Sequence, residues 1–173
     1  MTTSLYIHNK LQGFKGYTFT LAADNAHYIV EWYNSNRERG TLNSFFVNTN
    51  PAAKVQGGHW LLISFLKTDK IEIFDSLSMK SIIPKNIKES LKKLGKIIYV
   101  NRPLQSLESI FCGLFCISRF LSLTLNENMS SFYAHFPNNN LAANDKQVII
   151  VILSSVKHIR WLKTGEEGGE NEV

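Results

Sequence analysis

Apolar and polar positions along the chain change period several times, and each change marks an element. His59-Trp-Leu-Leu-Ile-Ser-Phe-Leu66 is apolar on both faces, as a central strand must be. Lys67-Thr-Asp-Lys70 reads as a turn, and Ile71-Glu-Ile-Phe-Asp75 returns as the partner strand of a hairpin. Upstream, Ser44 to Thr49 predicts a buried strand, with Pro51 and Gly57-Gly58 bounding the loop that follows. Pro84 to Lys96 has helical spacing, with Ile87, Leu91 and Leu94 inward and Gly95 near its end. Ile97 to Val100 is a short strand. From Cys112 to about Leu125, the stripe Leu114, Ile117, Leu121 and Leu125 predicts a deeply buried helix. Asp24-Asn25 predicts the cap of a helix from Ala26 to about Trp32, with Tyr28, Ile29 and Trp32 on one side. Residues 1–22 carry no clear period, and 34–43 and 126–144 read as loops. Residues 145–161 fit a strand through Val148-Ile-Ile-Val-Ile152 or a helix capped by Asn144 or Asp145. Their length favours the helix. Gly165 onward reads as a disordered acidic tail, leaving one domain over residues 1–164 and a tail over 165–173.

Composition narrows the picture modestly. The 173 residues are 44% hydrophobic and 19% charged, which is ordinary for a globular domain with a substantial core. No apolar run approaches the roughly 18 residues a membrane span requires. The N-terminus lacks the basic and apolar regions of a secretory signal, so the expectation is a protein that is not secreted. Two cysteines four residues apart cannot form a disulfide framework, and a reducing compartment suits them. The net charge of +5 points weakly to a polyanionic neighbour such as nucleic acid.

The chemistry gathers around Gln105-Ser-Leu-Glu-Ser-Ile-Phe-Cys112-Gly-Leu-Phe-Cys116. A cysteine at a helix N-terminus has its thiolate stabilised by unpaired N–H groups and the helix dipole, and thiolate is the attacking species. Gly113 leaves room for a substrate backbone to approach. Gln105, seven residues upstream, can fold its NH2 back beside the sulfur and act with a backbone N–H as an oxyanion hole. His59 opens one hairpin strand and Asp75 closes the other. They are therefore expected at the same end, offset by two or three positions, about 7–10 Å along the strand. His59 as base, Asp75 as its orienter and Cys112 as nucleophile make a coherent triad. Trp60 either walls a substrate groove or is a core aromatic.

Each residue also has a bland reading. A histidine opening an apolar strand is commonly structural, an Asp after a strand is commonly a turn residue, and a helical Cys is commonly core. The competitors are weaker still. His135 lies in a polar loop with no acid expected nearby, and Cys116 is one turn inside the helix, buried and inert. Glu108 would raise the Cys112 pKa. No spacing suggests a metal site. Gly168-Gly169 is a self-cleavage candidate within what reads as a solubilising tail. Lys85, Lys88, Lys92 and Lys96 form a basic stripe at helical spacing, which is more commonly a solvated face than a nucleic-acid site.

Gly57-Gly58-His59-Trp60, Phe74-Asp75-Ser76, and Gln105 followed by Cys112-Gly113-Leu114-Phe115-Cys116 resemble the adenovirus-type maturation proteases, or adenains. Phe46-Val47-Asn48-Thr49 adds to the likeness, which covers about residues 44–122. These enzymes share a fold with the proteases of SUMO and other ubiquitin-like proteins. The resemblance implies a papain-like α+β fold: a central mixed sheet flanked by helices, with the nucleophile at a buried helix N-terminus. It implies His59 as base, Cys112 as nucleophile, Gln105 as oxyanion donor, and Asp75 in a third position where adenoviral enzymes use Glu. The small size is closer to proteases of virophages and Maverick/Polinton elements. The implied function is cleavage of capsid and core precursors during virion maturation, within the virion or host cell interior. The alternative substrate class is a ubiquitin-like protein to be processed or deconjugated. A different class of alternative is an inactive nucleic-acid or capsid-binding module. The resemblance also brings DNA, through the lysine stripe, and an activating peptide as candidate cofactors. With Cys112 and Cys116 both inside the motif, the peptide is expected to act non-covalently.

Overall fold

In the computed structural model, residues 3–38, 40–53, 57–100, 102–137 and 140–164 are described, the last four of them by backbone alone. The acidic tail and Gly168-Gly169 lie outside the described residues. The strands are β1 (Tyr17–Ala22), β2 (Asn43–Asn48), β3 (Trp60–Phe65), β4 (Lys70–Phe74) and β5 (Lys96–Tyr99). They form one five-stranded sheet in sequence order. The central β2–β3–β4 ladder is antiparallel and each edge strand joins in parallel, so the sheet is mixed. The helices are α1 (Ser4–Leu11), α2 (His27–Asn36), α3 (Lys85–Lys92), α4 (Cys112–Thr124), α5 (Met129–Ala134) and α6 (Leu141–Thr164). The fold class is α+β with helices on both faces.

Strand alternation builds the layers. Phe45, Val47, Leu61, Ile63, Phe65, Ile71 and Ile73 point to one face, where Ile29 of α2 and Ile87 and Leu91 of α3 meet them. Phe46, Trp60, Leu62 and Phe74 point to the other, against Phe115, Cys116, Phe120 and Leu121 of α4. α4 packs between β3 and α6, which explains why it is buried nearly all round. Its polar residues are accommodated in place. Arg119 makes a two-pronged ion pair with Glu72 of β4 at 2.8 and 2.9 Å, and Ser118 Oγ donates to the carbonyl of Phe115 at 2.8 Å. Asn126, at φ 60°, stops the helix in the left-handed region that asparagine tolerates.

Several expectations change. Residues 1–22 hold α1 and β1; α1 offers only Ile7 and Leu11 to the core, and every residue of β1 is half-buried, so neither shows a clean period. Asp24 does not cap α2. It sits in a 3-10 turn and accepts from Ala52 N–H at 3.0 Å, and α2 runs on to Asn36. Tyr28 faces solvent, while Ile29 is buried and Trp32 stacks edge-on against Phe45. α3 ends at Lys92 and Lys96 opens β5. The polar stretch 126–144 contains α5, capped by Asn128 through Ser131 N–H. The final element is a helix, begun earlier than expected. Asn140 accepts from Ala143 N–H, while Asn144 turns inward to donate to the carbonyl of Leu104. Among the described residues no helix is long and apolar enough to cross a membrane.

Candidate active site

Cys112 is the first residue of α4, and no side chain caps that helix. The first-turn N–H groups are therefore left to other acceptors. The Cys112 sulfur takes the N–H of Gly113 and, from across the layer, the N–H of Trp60. The Trp60 carbonyl in turn accepts the thiol of Cys116 at 3.3 Å. Residues four apart on a helix share a face, so one strand residue binds both cysteines and fixes the helix start against β3. Cys116 is wholly buried, and burial pushes its thiol well above the usual range, helped by the negative groups Cys112 and Asp75. It is a core residue. Both cysteines are free.

His59 lies just before β3, where it continues the β2–β3 ladder. Its N–H donates to Thr49 Oγ1 at 2.9 Å, and its carbonyl accepts from Thr49 N–H at 2.8 Å. Before it, Gly58 has φ +88°, and a side chain built there would run into Asn48 and Asn50. Only glycine serves at that turn. The hairpin pairs Leu62 with Phe74, which sets Asp75 two positions from the point opposite His59, as the turn length predicts. The side chains close the gap: His59 Nε2 lies 2.6 Å from Asp75 Oδ1. The ring's other nitrogen is left for Cys112, to which His59 also hydrogen-bonds.

Asp75 fills both of its readings. Its Oδ1 accepts from Leu77 N–H at 2.9 Å and its Oδ2 from Met79 N–H at 2.7 Å, so it folds the turn after β4 while holding the imidazole. The electrostatics follow. Burial alone would raise the Asp75 carboxyl, but the His59 bond and the two N–H donors bring it below the usual range. Burial alone would lower His59, yet its bonds to Asp75 and Cys112 and their charges carry it up to about 9. Burial alone would raise Cys112, yet His59 and the N–H groups of Trp60 and Gly113 pull it down. Each shift favours the charged form, and together they favour thiolate, imidazolium and carboxylate in a row.

Gln105 joins them from the loop before α4. It is 3% exposed; its Oε1 accepts from Ser76 Oγ at 2.6 Å and its Nε2 donates to the carbonyl of Ser109 at 2.7 Å. Gln105, Cys112, His59 and Trp60 line one cleft of about 200 Å³. Trp60 is both core aromatic and cleft wall. Gly113 is buried within α4, so its contribution on the cleft side is its N–H on the Cys112 sulfur. Leu107 and Ile110 stand exposed at the rim.

The remaining candidates fall elsewhere. His135 does have an acid, Glu127 at 3.2 Å, but the pair is at the surface and outside the cleft. Helix α5 between them brings the two together, which a reading of this stretch as loop hides. Glu108 is exposed. The lysine stripe is broken: Lys88 donates to the carbonyl of Lys80, Lys96 belongs to a strand, and Lys85 pairs with Glu89 at 3.6 Å. Among the described residues no group of three His, Cys, Asp or Glu side chains is arranged to hold a metal ion. Thr49 and Ser76 fall within the quoted motifs, but sequence reasoning gave neither a role; in the structure both act by orienting others.

No protein-family model and no curated protein matches the chain. Among solved structures it is similar to the central domain of the uncharacterized Lpg1148 protein from Legionella pneumophila. The identity is 15% over 85% of this chain and 87% of that one, with a TM-score of 0.47. A likeness that loose bears on no chemistry, and the site's own geometry has to carry the reading.

Proposed function

We propose that the chain is a cysteine endopeptidase of the adenain type, papain-like in its fold. The observation that carries the reading is the continuous row of Cys112 sulfur, His59 ring and Asp75 carboxylate at the uncapped start of a buried helix. In the proposed reaction the Cys112 thiolate attacks the scissile carbonyl and a C–S bond forms. The oxyanion is met by the free N–H of the Gln105 amide and the backbone N–H of Cys112. His59 gives its proton to the leaving amine, the C–N bond breaks, and water then hydrolyses the thioester. Asp75 keeps the imidazole oriented throughout. Gln105→Ala is expected to slow turnover by about 10²–10³-fold.

A narrow cleft with an apolar rim, Leu107 and Ile110, suits an extended peptide laid across Cys112. The resemblance sets the proposed substrates as viral capsid and core precursors cut during virion maturation, inside the virion or host cell. DNA and a non-covalently bound peptide are the proposed activators. The test is to incubate a peptide library with reduced wild type and Cys112→Ala, with and without DNA, and sequence the new termini. Cleavage at a shared motif, absent in Cys112→Ala, supports the endopeptidase. Cutting confined to ubiquitin-like C-termini moves the assignment to the deconjugating class. No new termini under any condition favour the inactive binding module.

A further inference from the structure

Ser76 follows Asp75 directly, and the mechanism above does not use it. It is fully buried, and it meets the Gln105 loop three times. Its carbonyl accepts from the N–H groups of Leu104 at 2.8 Å and Gln105 at 3.1 Å, and its Oγ donates to Gln105 Oε1 at 2.6 Å. From the far side of the loop, buried Asn144 of α6 donates to the carbonyl of Leu104 at 3.0 Å. The loop is pinned on both flanks.

The need for such pinning is chemical. The two ends of a side-chain amide are alike in shape and opposite in sign. Turned one way, Gln105 offers an N–H to a developing oxyanion; turned the other, it offers a lone pair and repels it. The carbonyl of Ser109 can only accept, so the end 2.7 Å from it is the NH2. The end at Ser76 is then the oxygen, and the Ser76 hydroxyl has to donate. One N–H is used on Ser109, which leaves the second to act.

We propose that Ser76 is a positioning residue that fixes the polarity of the Gln105 amide. Asp75 and Ser76 thus form an adjacent pair, in which one side chain orients the proton-transfer histidine and the next orients the oxyanion donor. The inference rests on the reading of Cys112 as an acyl-transfer nucleophile.

Two reagents on the full chain separate the roles. Iodoacetamide alkylates a thiolate: a C–S bond forms, iodide leaves, and no oxyanion arises. p-Nitrophenyl acetate passes through an oxyanion: the thiolate adds to the carbonyl, the C–O bond breaks, and p-nitrophenolate leaves with the electron pair. Cys112→Ala supplies the blank for both. Ser76→Ala should slow the acylation burst by about tenfold and leave alkylation within about twofold, since one of two anchors on an oxyanion donor is lost. The double variant with Gln105→Ala should acylate at the rate of Gln105→Ala alone, because a residue acting through another adds nothing once that other is gone. Unchanged acylation in Ser76→Ala, equal losses with both reagents, or losses that multiply in the double variant would each overturn the proposal. If Ser76→Ala does not fold, Ser76→Cys decides: it keeps the volume but offers only a weak donor, so acylation should fall while alkylation holds, and unchanged acylation counts against the proposal. Wild type that alkylates like an ordinary thiol and shows no burst above the blank overturns the protease reading, and this inference falls with it. Fast alkylation with acylation indifferent to Ser76 overturns this inference alone.

Discussion

Two buried charged pairs lie along α4 on the same side of the sheet, and they differ in what they leave unused. At one, Arg119 spends its guanidinium on Glu72, on Ser122 Oγ at 3.1 Å and on the carbonyl of Glu127 at 3.4 Å, with its face 5.2 Å from the Phe132 ring centre. Nothing reactive remains. At the other, His59 and Asp75 are as closely joined, but the row ends on a sulfur that carries a lone pair into a cleft. The larger cavity, about 570 Å³, borders the Arg119 pair and not the cysteine. Neither burial of charge nor size of cavity marks the candidate site. An unshared nucleophilic pair beside an opening does.

The sharpest break in that comparison is Cys112→Ala. Under the proposed reaction, removing the nucleophile should lower peptide cleavage by on the order of 10⁶-fold. Thermal unfolding should shift by only about a few degrees, because one buried sulfur and its contacts are lost from the core. At the other pair the effects should invert. Glu72→Ala strands a buried guanidinium and should cost about 3–5 kcal/mol in urea titrations, while replacing both partners by Leu and Met should come near neutral. The folded fraction of either variant should keep the Cys112 labelling profile of wild type.

Smaller effects sharpen the site's own half. Cleavage of an amide requires His59 to be protonated when the amine leaves, and its pKa is raised to about 9. The rate should therefore hold through neutral pH and fall about tenfold per unit beyond pH 9. A decline centred near pH 6.5 would show that His59 is not held by Asp75 and Cys112. Smallest is the DNA effect. With Lys85 and Lys88 paired elsewhere and Lys96 on a strand, Lys92 alone predicts at most a fewfold stimulation at low salt and a log–log salt slope of about −1. Stimulation that persists near 0.5 M salt would need a different surface.

Much of this could be read from sequence, for identifiable reasons. β3, β4 and α4 carry long apolar runs, so polar residues at their ends stand out; His59, Asp75 and Cys112 are such residues, and Gln105 follows from distance to Cys112. β1 and α1 were not legible because an edge strand half-buried at every position and a helix with two core contacts have no strong period. α5 was hidden by polar flanks and its six-residue length. Glu72 did leave a trace, a charge between two isoleucines in an apolar strand, but its partner lies 47 residues away. Ser76 stands in a quoted motif but its role left no trace, since a serine after a strand-ending aspartate looks like any turn residue.

The central claim is that Cys112 rests as a thiolate paired with His59. The direct measurement is the rate of Cys112 alkylation by iodoacetamide against pH, in wild type and His59→Ala. Cys112 is pulled below the usual thiol range by His59 and the N–H groups of Trp60 and Gly113, so wild type should label at lower pH than His59→Ala. His59→Ala should label slowly until pH reaches or passes about 8.5, the value of an unperturbed thiol, since burial then works against the thiolate with His59 gone. Superimposable profiles for the two proteins, both rising only near that pH, would contradict the account.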